Sequence, residues 1–172
     1  MNETTGYWKY DGGNTLTEGK TLTEGQDKPK RDLVSEIETV VTGLYKSGYN
    51  CAESIILGFK QVLGLDVSPD AVRMLTAYGG GVGKSGCMCG ALSGSVAVIG
   101  FLKGRESNQE KLAGIYELSG KVHDNFETEM GATCCRVLNP YLFGTKDQRK
   151  SCMEITVNAA KILMKFLQEE KL

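Results

Sequence analysis

From Asp32 onward, apolar residues recur at helical intervals. Leu33, Ile37, Val40, Val41 and Leu44 stand at offsets of 0, 4, 7, 8 and 11, which places them on one face of a helix. Lys46, Ser47 and Gly48 end that stripe. Asn50, with Glu53 three residues on, reads as a variant of the capping box. The helix it opens carries Cys51, Ile55, Phe59 and Val62 on one face and closes at Gly64. Ser68 and Pro69 supply the cap and first helical residue of a third helix. It runs through Val72, Leu75 and Tyr78 into a loop from Gly79 to Ser85.

A fourth helix starts near Cys89, where Gly90, Ala91, Gly94 and Ser95 keep the surface small enough for another helix to approach closely. A fifth is expected over 108–127 with Leu112, Ile115, Val122 and Phe126 inward. Cys134 and Cys135 then fall in a short turn that Pro140 stops. Thr145 and Gln148 cap a last helix with Cys152, Ile155, Ala159, Ile162 and Phe166 on one face. No stretch alternates β-branched and polar residues as a strand does. The expectation is an all-α chain: one helical-bundle domain of about five to six helices over residues 31–172. Residues 1–30 are polar and glycine-rich, with a short repeat at Thr15–Gly19 and Thr21–Gly25. They are expected to form a mobile N-terminal arm, with Tyr7, Trp8 and Tyr10 available to pin its tip.

Composition narrows the function classes. Twenty basic residues against 21 acidic leave a net charge of −1, so nothing electrostatic favours nucleic acid or an anionic membrane surface as a partner. The most apolar stretch, Met88 to Leu102, has 15 residues, short of the roughly 18–20 that span a bilayer. The N-terminus lacks a basic start followed by an apolar run, so no secretory signal is read and a reducing, cytoplasmic location is expected. In that location six cysteines point to metal or redox chemistry before structural disulfides.

Those cysteines lie at 51, 87, 89, 134, 135 and 152. Cys51 and the two close pairs, Cys87/Cys89 and Cys134/Cys135, fall at or beside expected helix N-termini, where amides and the helix dipole favour thiolate. Cys51 and Cys152 sit on apolar stripes and should point inward. Any one buried cysteine is ordinary core packing; the whole set is better read as a thiolate site. Soft thiolates suit zinc, copper(I) or an iron–sulfur cluster. No Cys-x-x-Cys occurs, which disfavours zinc ribbons, ordinary ferredoxins and thioredoxin-like sites and leaves the metal open. Thiol–disulfide chemistry between the two pairs is the alternative, since adjacent cysteines bridge each other only with strain.

Two other motifs carry less. Gly83-Lys84-Ser85 ends like a phosphate-binding loop, but Tyr78 stands where its first glycine belongs and a helix precedes it. Glycines there better serve to bring backbone amides close to a buried centre. His123, the single histidine, lies off the apolar stripe and reads as a solvated side chain. A hydrolase triad therefore lacks its base.

Cys89-Gly90-Ala91-Leu92-Ser93-Gly94 resembles the Cys-Gly-Ala-x-x-Gly motif of the C_GCAxxG_C_C family, a redox-active family with four invariant cysteines. Tyr49-Asn50-Cys51-Ala52-Glu53, the glycine loop, Cys135-Arg136-Val137-Leu138 and Cys152 also fit, over roughly residues 35–165. The resemblance implies that Cys51, Cys89, Cys135 and Cys152 are the family's four and that they bind a cofactor. The family is similar to the cluster-bearing part of split-Soret cytochromes c. That likeness implies an iron–sulfur cluster, [2Fe–2S] or [4Fe–4S], and a homodimer. The haem-binding motifs of those cytochromes are absent, so haem-to-cluster transfer does not carry over. Cys87 and Cys134 are additions of this sequence, as spare ligands, as members of a larger cluster, or as packing. The expected function is electron transfer or redox sensing with a redox partner protein not identified by the sequence. The alternatives are a thiol–disulfide protein, a structural zinc site, or a helical interaction protein.

Overall fold

The computed structural model describes residues 31–172; the expected N-terminal arm, with its repeat and its aromatic residues, lies outside them. Helix α1 spans Leu33–Lys46 and buries Ile37 and Val41. Its cap is Asp32, whose Oδ1 accepts the Ser35 amide at 3.2 Å, satisfying one of the donors that a helix start leaves open. Helix α2, Cys51–Leu63, opens on a complete capping box and closes on Gly64 at φ 70, the left-handed turn that favours glycine. Helix α3 spans Pro69–Thr76, with the Ser68 side chain accepting from the Ala71 amide. It stops before Tyr78, because the residues that follow wind into the glycine loop.

Helix α4 spans Gly90–Lys103 and is apolar on nearly every face, as befits a helix packed against α2 and two further helices, α5 (Ala113–Met130) and α7 (Lys146–Glu169). Helix α5 begins at Ala113, not near residue 108 as the periodicity suggests. The polar stretch before it folds as a turn instead. Glu110 Oε1 accepts the amides of Glu106 and Ser107 at 3.0 and 2.9 Å, a local side-chain bond that competes with helix. Helix α6 is a single turn, Cys135–Leu138. Helix α7 buries Leu163, Met164 and Leu167 besides the face expected from the sequence, while Ile162 is half-buried.

Helix α2 is central. It packs on α1, α3, α4 and α7, while α7 also lies along α1. Ile37, Ile55, Phe59, Ile99, Phe126 and Leu163 are among the side chains closed off between them. The described residues contain no strand, so the all-α class holds. No helix among them is long and apolar enough to cross a membrane.

Candidate thiol centre

The glycine loop and the starts of α2, α4 and α6 gather at one end of the bundle. The start of α2 is fixed twice over. Asn50 Oδ1 accepts the Glu53 amide at 3.0 Å, and the Asn50 amide donates to Glu53 Oε2 at 2.9 Å. The outer oxygen of that carboxylate accepts from the Thr76 hydroxyl at 2.5 Å, and Asn50 Nδ2 donates to the Thr76 carbonyl at 3.0 Å. The cap thus ties α2 to the end of α3, and Cys51, the first residue of α2, is held with 2% of its surface exposed.

Cys89 is the N-cap of α4, and its amide donates to the Thr133 carbonyl at 2.8 Å. That bond joins the start of α4 to the turn before α6, whose first residue is Cys135. Cys152 comes from the second turn of α7 and is buried. Four free thiols from four separate segments therefore meet at one place. Cys51 donates to Cys152 and Cys89 donates to Cys135, and electrostatic contacts run between the two pairs, Cys51 to Cys89 and Cys152 to Cys135.

Within each pair the two thiols are driven apart in acidity. The bond from Cys51 brings Cys152 down to about 6, against the opposing effect of burial, with further hydrogen bonds from Tyr45 and Thr156. The bond from Cys89 brings Cys135 down to about 7, helped by the Gly90 amide. The donors, Cys51 and Cys89, are pushed up by the same bonds and by burial. Amides temper this: Gly80 donates to Cys51, and Ala91 and Leu92 to Cys89. Tyr45 is pushed up by its burial and by its bond to Cys152. Tyr45 lies on α1 outside the apolar stripe, and nothing in its sequence setting pointed to a role beside a thiol. The centre is thus primed for thiolate at Cys135 and Cys152, the form that binds metal or attacks a disulfide.

The glycines of the Cys89–Gly94 motif explain the tight fit. A Cβ on Gly90 would overlap the Cys51 sulfur and lie 2.8 Å from the Tyr78 carbonyl oxygen. A Cβ on Gly94 would lie 2.9 Å from the Ala52 carbonyl oxygen and 3.0 Å from the Ile55 Cβ. Only glycine at both positions lets α4 cross α2 this closely, with a sulfur in the crossing.

Two clefts open on the thiols. One, about 300 Å³, reaches Cys89, Cys135 and Cys152 and is also lined by Tyr141, Leu142 and Phe143. The other, about 500 Å³, reaches Cys51 and Cys152 beside Tyr45 and Tyr49. They meet at Lys84 and Phe143, where the ammonium stands 4.9 Å from the ring centre. The glycine loop is no phosphate cradle. Its amides are largely spent within the loop, as Gly83 donates to the Ala77 carbonyl at 2.9 Å and Gly86 to that of Gly80 at 3.2 Å. His123 is remote from this chemistry, its Nδ1 paired with Asp124 Oδ1 at 2.9 Å on α5.

Cys87 and Cys134 stand apart from the four. They are joined to each other in a disulfide across 47 residues of chain, and in that state neither sulfur is a thiolate ligand. The bond links one close pair to the other, the arrangement favoured over a bridge between neighbours. Among the described residues, no three histidine, cysteine, aspartate or glutamate side chains are arranged to hold a single metal ion. The four free thiols stand as two hydrogen-bonded pairs facing each other. As a donor set they are four soft sulfurs, three at or beside amide-rich helix starts and Cys152 in the second turn of α7, a chemistry that suits an iron–sulfur cluster or another thiophilic metal.

An all-α bundle with a glycine-wrapped thiol centre defines a helical redox-active protein. The family described as "Putative redox-active protein (C_GCAxxG_C_C)" matches residues 49–166, and the chain belongs to that family. A protein of Archaeoglobus fulgidus, named "Uncharacterized protein", is 29% identical over 131 residues, covering 71% of this chain and 87% of the relative. No solved structure matches the chain.

Proposed function

We propose that this redox-active protein holds an iron–sulfur cluster, [2Fe–2S] or [4Fe–4S], on Cys51, Cys89, Cys135 and Cys152, and acts in electron transfer or redox sensing. One observation carries the reading: four free thiols, from the starts of α2, α4 and α6 and from α7, come together as two neighbouring pairs, three of them buried and Cys135 half-buried. When bound, the cluster would supply a one-electron couple. The chain's part is to present the sulfurs, aim the amides of Gly80, Gly90, Ala91 and Leu92 at them, and keep Cys51, Cys89 and Cys152 away from water by burial. Hydrogen bonds to the sulfurs and burial are the means by which a protein tunes such a centre.

Anaerobic purification with iron and sulfide assays and a visible spectrum tests the reading, and protein that stays colourless and iron-free after reconstitution contradicts it. The reading includes a homodimer and a redox partner protein in a reducing, cytoplasmic setting, supported by the family likeness and by the exposed Val137, Tyr141, Leu142 and Phe143 beside the clefts. Of the alternatives, thiol–disulfide chemistry draws support from the bonded Cys87–Cys134 pair. A structural zinc site would call on the same four thiols, and zinc at unit stoichiometry without iron would favour it.

A further inference from the structure

The cysteines outside the four-thiol set have a distinctive setting. Residues 86–89 and 133–136 lie side by side. The Cys89 amide donates to the Thr133 carbonyl at 2.8 Å, and the Arg136 amide donates to the Gly86 carbonyl at 3.0 Å. The Cys87–Cys134 bond crosses between these two hydrogen bonds. Each bridged residue is chained to a free thiol: Cys134 precedes Cys135, and Cys87 is two residues from Cys89. Both are half-buried, whereas Cys51, Cys89 and Cys152 are buried.

A bundle of this size, with the core already described, does not depend on a staple to fold. The bond is also placed where its state changes something. It anchors the end of a loop in which Gly80, Gly81, Gly83 and Gly86, and also Val82 and Lys84, have positive φ. Such a loop costs much conformational entropy to order. A covalent tie at Cys87 lowers that cost, and its loss raises it.

We propose that Cys87–Cys134 is a second redox site, a reversible two-electron couple whose substrate is an external dithiol, and that it clasps the glycine loop to α6. This deepens the thiol–disulfide reading and does not depend on a cluster. A thiolate of the dithiol attacks one sulfur of the bond, displacing the other as a thiolate and forming a mixed disulfide. The second thiolate of the reductant then displaces the protein sulfur. Two electrons pass to Cys87 and Cys134, which take up two protons, and the reductant leaves as its own disulfide. With the clasp open, the loop that carries Gly80 and the segment that carries Cys89 lose their covalent tie and are held by hydrogen bonds and packing alone. The thiol centre then opens more often.

The test uses the full chain, metal-free and purified in air. It is unfolded and alkylated without reductant, then mapped by mass spectrometry, and the count is repeated after the folded protein has been equilibrated with dithiothreitol redox buffers. The expected result is alkylation of the four free cysteines and an intact Cys87–Cys134 link before reduction, with all six alkylated after it. Cys87 and Cys134 should appear together in one step, and native alkylation of Cys135 should then become several-fold faster. Six free thiols in air-purified protein, a link between other cysteines, or a link inert to excess dithiothreitol in the folded chain would overturn the assignment. An unchanged Cys135 rate would overturn the clasp. Iron content is read separately, so failure here and failure of the cluster reading are told apart.

Discussion

The sulfur of Cys51 rests against the α-carbon of Gly90, where the beginnings of α2 and α4 cross. A methyl group at position 90 would meet both that sulfur and the Tyr78 carbonyl oxygen. Gly90→Ala should therefore destabilise the fold by about 1–3 kcal/mol, although alanine is the better helix former. Gly120 in α5 is the control, because among the described residues nothing lies within 4 Å of a Cβ there. Gly120→Ala should stabilise by about 0.5–1 kcal/mol. Chemical denaturation of the two variants beside the parent chain measures both signs.

The hydroxyl of Ser54 is buried and has no hydrogen-bond partner among the described residues. Removing it loses no bond and relieves a desolvated polar group. Ser54→Ala should be neutral or stabilising, up to about 1 kcal/mol. A loss of stability in the same denaturation experiment would mean that the hydroxyl is bonded in solution.

Acidity within the thiol centre makes stability depend on pH in metal-free, reduced protein. Cys152 falls to about 6 and Cys135 to about 7 in the fold, below an ordinary thiol at 9.0. A depressed acid contributes its stability above the unfolded value and loses it as pH falls through the folded one. Thermal midpoints should therefore rise from about pH 6 to about pH 9. Cys51 and Cys89 are raised, the opposite case. Their contribution is complete below the ordinary thiol value and is lost as pH climbs beyond it, so the midpoint should decline at still higher pH. A midpoint that is level across this range would show that the hydrogen-bonded pairs do not hold the thiols in these states.

The Cys87–Cys134 bond should add to stability as well. Closing 47 residues gives about 4 kcal/mol on the chain-entropy model, an upper figure for such bonds. Reduction, or the double substitution Cys87→Ser with Cys134→Ser, should lower the unfolding free energy by about 2–4 kcal/mol while leaving the helical circular dichroism in place.

The bundle was largely legible because its signals are local. Asn50 with Glu53, Ser68 with Pro69, and Thr145 with Gln148 each mark a helix start that the structure repeats with side-chain caps. The small residues at 90 and 94 announced a close helix crossing, and the partner proved to be α2. What depends on contacts across the chain was less legible. The start of α5 was misplaced because Glu110 captures backbone amides that periodicity does not register. Tyr45 is brought to Cys152 by the packing of α1 on α7, a relation with no trace in either local pattern. The direction of each thiol's acidity follows from which member of a pair donates, and spacing along the chain does not encode that.

The central claim is most directly tested by anaerobic reconstitution with iron and sulfide, followed by metal analysis, for the parent chain and for serine variants at each cysteine. The parent chain should bind iron and sulfide and show a visible charge-transfer spectrum. Both should be lost in Cys51→Ser, Cys89→Ser, Cys135→Ser and Cys152→Ser, and retained in Cys87→Ser and Cys134→Ser. An iron-free parent chain, or a cluster that depends on Cys87 or Cys134 but survives loss of Cys51 or Cys152, would contradict it.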